Sequence, residues 1–271
     1  MGRTLSRLAT RLSAVALLAA AGATAAAEFD HRHAAWTALL RPNVVVLDGG
    51  RASRLRYAGL ARDRAALQSY LAALSAVEAR EFGAWNKAQR LAFLINAYNA
   101  HMAALVLTRH PGIESVWDFG KLLNNPFKRR FFMLLGRETS LDDIEHGLIR
   151  APGAYDDPRI HFAVNCASLG CPMLREEAYR AADLDAQLDE QTVRFLSDRA
   201  RNRVAADGAL EVSSIFKWYG GDFSRGGATL ADFFARHAAL LAGDDATRQR
   251  ILEKRAPLRF LDYDWRLNGA P

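Results

Sequence analysis

The chain has 271 residues, of which half are hydrophobic and 24% charged, with a formal net charge of +6. That balance excludes a disordered tail, which would be poor in large apolar residues, and two cysteines are too few for a disulfide scaffold. A chain of this length can bury a sizeable core, as one large domain or two small ones.

Residues 1–27 carry Arg3, Arg7 and Arg11 and no acid, then an apolar stretch from Leu12 to Ala21, then small residues ending Ala25-Ala26-Ala27. A basic start, a short apolar middle and an A-x-A end are the pattern of a secretory signal peptide. The apolar run is too short to span a bilayer. Cleavage after Ala27 would leave 244 residues and lower the net charge to +3, because the three arginines leave with it. The basic balance is then no argument for nucleic acid. The expectation is a periplasmic or secreted protein with no integral membrane segment after cleavage, its cysteines facing an oxidising compartment.

No repeat or linker divides residues 28–271, which read as one domain. His31 to Leu40 reads as a short helix ending before Pro42, and Val44 to Leu47 as a strand stopped by Asp48-Gly49-Gly50. Arg62 to Val77 is helical, with Leu67, Leu71 and Leu74 in phase. The clearest element is Lys87 to Arg109: Asn86 and Gln89 fit a capping box, and Leu91, Leu94, Ile95, Tyr98, Met102, Leu105 and Val106 form one stripe. Asn96 and Asn99 share the shoulder of that stripe, where amides must find specific partners, either a loop or a ligand. Phe131 to Ser140 reads as a hairpin turning at Gly136-Arg137. Ser140 then caps a short helix, Leu141 to Ile149, with Asp142 and Asp143 in its first turn. Ile160 to Asn165 is expected to be a strand, Leu184 to Leu196 a helix, and Arg203 to Ser213 a hairpin turning at Asp207-Gly208. Leu230 to Leu241 is expected to be a helix and Leu258 to Leu267 a closing strand. Helices and antiparallel strands without βαβ alternation point to an α+β domain, with helices packed on a small antiparallel sheet.

The chemistry concentrates in 157–172, which holds both cysteines, Cys166 and Cys171, and His161. Small residues after Cys166 let the backbone approach a ligand closely. A cysteine nucleophile acts as thiolate and needs a base. His161 is one candidate, although on an extended strand it and Cys166 fall on opposite faces. His146, beside Glu145 on the preceding short helix, is the other; Glu145, Asp142 or Asp143 could orient an imidazole. The bland readings are a small Cys166–Cys171 disulfide loop or two buried cysteines acting as small hydrophobes. His146, His161 and one cysteine match no common zinc spacing, so no metal is expected. No phosphate loop or G-x-S-x-G elbow is present, so no cofactor is expected either. Lys128-Arg129-Arg130 reads as a solvated basic cluster.

Several stretches together resemble the Domain of Unknown Function 547 family: Leu91 to Ala100, Ser140 to His146, Asp157 to Pro172, Ile215 to Phe223 and Asp262 to Trp265. They occur in this order over most of the chain after residue 85. The resemblance implies a fold and candidate positions rather than a reaction. It favours Cys166 over Cys171 as the functional cysteine. The layout of acid and histidine before a cysteine in an α+β domain is also similar to circularly permuted papain-like thiol enzymes.

Two functions are expected from these residues. In the first, the protein is a thiol hydrolase or acyltransferase of the cell envelope. Cys166 attacks an acyl carbonyl, His146 or His161 takes its proton, Glu145 orients the imidazole, and Asn96 or Asn99 holds the oxyanion or substrate. The partner is then a small-molecule, peptide or envelope substrate. In the second, it is a non-catalytic binding module with structural cysteines and a recognition surface built from the asparagine shoulder and Trp218-Tyr219.

Overall fold

The computed structural model describes residues 28–120 and 124–271. The expected signal peptide, residues 1–27, lies outside the described residues. The axis of the molecule is the helix Lys87–Leu107. The Asn86 side chain accepts from the Gln89 N–H at 2.9 Å, and the Gln89 side chain accepts from the Asn86 N–H at 2.9 Å, so the expected capping box forms. This helix is long and apolar enough to cross a membrane, but 89% of the qualifying window is buried inside the protein, which makes it a core helix.

Before it come α1 (Ala34–Asn43), the hairpin β1 (Val44–Leu47) and β2 (Ala52–Leu55), then α2 (Tyr57–Arg62), α3 (Arg64–Ala76) and α4 (Ala79–Ala84); Lys87–Leu107 is α5. Leu39, Leu60, Leu67 and Leu74 from the first helices close on α5 in the larger apolar cluster. A second hairpin, β3 (Phe132–Leu134) and β4 (Arg137–Thr139), leads into a π-helix, Asp143–Ile149. Ser140 starts that turn: its hydroxyl accepts from the Asp143 N–H at 3.0 Å and its own N–H donates to Asp143 at 3.0 Å.

Helix α6 (Leu184–Leu196) leads to a three-stranded sheet in which β6 (Leu210–Val212) pairs antiparallel with β5 (Asn202–Val204) and parallel with β7 (Leu258–Phe260). Between β6 and β7 run α7 (Ile215–Trp218), α8 (Gly220–Phe223), α9 (Leu230–Arg236), α10 (Ala238–Leu241) and α11 (Asp245–Leu252). Phe162, Phe195, Phe216, Phe223 and Phe233 form the second cluster, with ring centroids 4.8–6.4 Å apart in stacked, tilted and edge-on pairs.

The class is α+β, but among the described residues there is no single sheet beneath the helices: three small sheets sit around α5 and the phenylalanine cluster. Ile160 to Asn165 is not a strand. Pro158–Phe162 is a 3₁₀ helix, begun by Asp157, whose carboxylate accepts the Arg159 N–H at 2.9 Å, with Pro158 in the first turn. Local capping outweighs the β-branched composition there. Leu230–Leu241 breaks at His237, whose Nδ1 donates to the Phe233 carbonyl at 2.9 Å. The closing strand stops at Phe260, and the segment after it docks by irregular backbone bonds that shape the site.

Candidate functional site

Asn165 and Asn99 set the position of the cysteine loop. Asn99 on α5 donates to the Ala163 carbonyl at 3.0 Å and accepts from the Asn165 N–H at 2.8 Å. The Asn165 side chain donates to the Pro172 carbonyl at 2.8 Å and accepts from the Ala167 N–H at 3.0 Å, closing residues 165–172 on themselves. The C-terminal segment zips onto the outside: Leu169 N–H to the Arg266 carbonyl, Gly170 N–H to the Asp264 carbonyl and Asn268 N–H to the Ala167 carbonyl, all at 2.8–3.0 Å. Gly170 permits this approach, because a Cβ there would sit 2.9 Å from the Tyr263 ring.

Within the loop Cys166 and Cys171 are disulfide-bonded. Cys166 is half-buried and Cys171 buried. Cys171 Sγ accepts from the Cys166 N–H at 2.8 Å. The Tyr263 hydroxyl lies 3.1 Å from Cys166 Sγ and donates to Cys171 Sγ at 3.2 Å, and the Ser168 hydroxyl lies 2.9 Å from Cys166 Sγ. Burial pushes the Tyr263 hydroxyl up, so it remains a donor. In this state the sulfurs are met by hydroxyls and backbone rather than by an imidazole.

The imidazole work is done next door. His161, at the end of the 3₁₀ turn, is 2% exposed and stacks on Tyr219, with ring centroids 4.0 Å apart. Its Nε2 lies 2.7 Å from Asp222 Oδ2. Arg150 Nε donates to the same oxygen at 2.6 Å, and Arg225 Nη2 donates to Oδ1 at 2.9 Å. Burial works against the Asp222 charge, but the bonds from His161 and Arg150 outweigh it and hold the carboxyl at about 2. Burial in turn pushes the His161 imidazole down, despite Asp222. Asp222 can therefore only accept and His161 is neutral, so the ring proton sits on Nε2 and the Nδ1 lone pair is left bare. Nδ1 is buried and without a hydrogen-bond partner.

His146 is differently placed. Its Nδ1 accepts from Arg150 Nη1 at 2.5 Å, and its Nε2 faces Asp142 at 3.6 Å. With Nδ1 occupied by a guanidinium donor, it has no free lone pair. Arg150 thus links the two histidines through Asp222. Glu145 lies one residue earlier on the π-helix, 7% exposed, against the hydroxyls of Tyr98 and Tyr219. Burial first, and then the Glu145 charge, raise both hydroxyls above their ordinary value. The i→i+5 bond from the Arg150 N–H to the Glu145 carbonyl, 2.9 Å, lets Glu145, His146 and Arg150 occupy one side of this short turn.

These groups meet at a cavity of about 300 Å³. Its polar lining includes Asp142, Glu145, His146, His161 and the two cysteines. Its aromatic lining is centred on Trp265, with Trp117 at 5.0 Å and 68°, Tyr263 at 4.5 Å and Trp218 at 5.8 Å between ring centroids.

Of the sequence-predicted residues, Cys166, His146, His161, Glu145 and Trp218 line this one cavity. Asn96 and Asn99 do not. Asn96 donates to the Tyr179 carbonyl at 2.7 Å and accepts from the Tyr179 N–H at 3.0 Å, so both amides clamp loops onto α5. The face argument against His161 and Cys166 meeting has no footing, because the chain leaves a 3₁₀ turn at Phe162 and runs irregularly to Cys166 rather than as a strand. The acid on the histidine is Asp222, not Glu145. Asp222 lies in the Ile215 to Phe223 stretch, and Tyr263 and Trp265 in the Asp262 to Trp265 stretch, but no spacing in the sequence ties them, Arg150 or Trp117 to this site.

No curated protein and no solved structure matches the chain. The family model described as "Protein of unknown function, DUF547" matches residues 82–196, a segment running from α4 through α5, the π-helix and the cysteine loop to the end of α6. Over residues 82–196 the chain is similar to the DUF547 family.

Proposed function

We propose that the protein is a thiol hydrolase or acyltransferase whose nucleophile, Cys166, is released when a dithiol reductant opens the Cys166–Cys171 disulfide. The observation that carries this reading is the His161–Asp222 pair: a buried neutral imidazole, fixed through Nε2 and unpartnered at Nδ1, on a residue that lines the cavity with the cysteines. Cys166 is preferred over Cys171 because it is the more accessible of the two. Opening the disulfide gives two thiols and frees Cys166 Sγ to turn toward the cavity. Its proton passes to His161 Nδ1 as Sγ bonds to the acyl carbon. The bond to the leaving group breaks, and that group takes the proton from His161. Water, or an acceptor nucleophile, then gives a proton to His161 and displaces the thiolate from the thioester, and the thiolate takes that proton back from His161. Asp222 holds the tautomer and stabilises the imidazolium in between.

Export is part of this proposal. It rests on the pattern of residues 1–27, and an oxidised cysteine pair suits an oxidising compartment. Mass analysis of the protein purified from its own cells is expected to give a chain beginning at Glu28.

The test is single-turnover acylation by p-nitrophenyl acetate. Protein reduced with a dithiol is expected to release nitrophenolate in a burst equal to the protein concentration and to carry acetyl on the Cys166 peptide. The oxidised protein and Cys166→Ala are expected to show neither. Acylation no faster than that of free cysteine would overturn the reading. The disulfide favours the second reading, a binding module with structural cysteines. That reading predicts that reduction destabilises the fold and uncovers no fast-reacting thiol.

A further inference from the structure

The cavity has a sign. Asp142 and Glu145 both line it, and no lysine or arginine does among the described residues. The nearest guanidinium, Arg150, is held by Asp222 and His146. The basic run Lys128-Arg129-Arg130 follows Phe127, which lines the cavity, but is not itself in the lining. Asp142 is partly open, with its side chain 31% exposed and, among the described residues, the His146 ring facing it at 3.6 Å. Two carboxylates in a concave, aromatic-walled space repel an anion and favour a cation.

The aromatic wall points the same way. The Trp117 and Trp265 indoles stand at 68° to each other with centroids 5.0 Å apart, so their rings meet at a corner. Indole is the ring that attracts a cation most strongly. A corner of indoles with carboxylates in the same lining is the composition that recognises an ammonium or guanidinium group. His161, whose buried Nδ1 has no hydrogen-bond partner, lines the same cavity.

We propose that the cavity takes an acyl compound carrying an ammonium or guanidinium near its scissile bond, the cation lying against the Trp117 and Trp265 rings and facing Asp142 and Glu145. This rests on the reading of the cavity as the acyl-substrate site and adds the substrate's charge. A basic aminoacyl or peptidyl group fits this chemistry.

The test uses the intact, oxidised protein and measures binding alone. Three of its five tryptophans line the cavity, so ligand binding is read by tryptophan fluorescence. The probes are the methyl esters of Nα-acetyl-lysine, Nα-acetyl-norleucine and Nα-acetyl-glutamate, with N-acetylglucosamine as a neutral polyol. The lysine ester is expected to bind at least tenfold more tightly than the norleucine ester, which has a similar shape without the charge, and the glutamate ester not to bind. Asp142→Asn is expected to weaken the lysine ester at least fivefold and leave the norleucine ester unchanged. Should that variant fold poorly, higher ionic strength on the native protein is expected to weaken the lysine ester selectively. Equal binding of the lysine and norleucine esters, tighter binding of the sugar, or a lysine-ester affinity insensitive to both Asp142→Asn and salt would overturn the proposal. No thiol is involved, so this result and the acylation result can fail separately.

Discussion

His161 Nε2 and Asp222 Oδ2 lie 2.7 Å apart, joining the 3₁₀ turn before the cysteine loop to α8, 61 residues later. This bond decides where the imidazole proton sits and hence which nitrogen keeps its lone pair. It also ties Arg150 and Arg225 to the histidine through a single carboxylate.

Asp222→Asn keeps the size of the side chain and removes the charge that three donors share. Urea unfolding is expected to show a loss of about 2–4 kcal/mol, the usual cost of leaving a buried ionic partner uncompensated. The same variant is expected to slow acylation of the reduced protein, because an amide can hold either imidazole tautomer. Unchanged stability with unchanged acylation would remove Asp222 from the site.

Acid is expected to destabilise the protein through its buried histidines. Burial pushes His33 and His101 down from an ordinary value of 6.5 to about 3, and pushes His161 down as well. Each is depressed in the folded state, so the unfolded chain binds the proton more tightly. The contribution of each is fully present above pH 6.5 and is lost as pH falls, down to about 3 for His33 and His101, by up to roughly 1.4 kcal/mol per histidine per pH unit. The thermal midpoint is expected to fall steadily below pH 6.5. In His101→Gln, if it folds, the fall is expected to be shallower.

Asn99→Ala leaves the Ala163 carbonyl and the Asn165 N–H without their partner. A loss of about 2 kcal/mol is expected, together with faster hydrogen exchange at residues 163–167. Asn96→Ala is expected to cost a similar amount but to raise exchange at Tyr179 instead. The two variants together separate the clamp beneath the cysteine loop from the clamp on the following loop.

Helix α5 is legible in the sequence because its signals are local: a capping box at Asn86 and Gln89 and a long apolar stripe. The same holds for the Phe131 to Ser140 hairpin and for α6. The 3₁₀ turn at Pro158–Phe162 is obscured because its apolar composition also suits a strand, and the decisive cap, Asp157 to the Arg159 N–H, involves a residue outside the apolar run. The site is half legible. Cys166, His161, His146 and Glu145 stand out by residue type and spacing. Asp222 and Tyr263 reach the site from 56 and 97 residues beyond Cys166, brought in by α8 and by the irregular segment after β7, and no periodicity records such a return. The asparagine shoulder reads correctly as a place of specific hydrogen bonds, and the partners prove to be main chain.

The most direct test of the proposed chemistry is the pH dependence of iodoacetamide alkylation at Cys166 in protein reduced with a dithiol, comparing the native chain with His161→Asn. If His161 Nδ1 serves Cys166, the native thiol reacts well below the pH at which a free cysteine does, and His161→Asn moves the profile upward and slows alkylation near neutral pH by at least tenfold. Identical profiles in the two proteins, both matching a free thiol, would contradict the account.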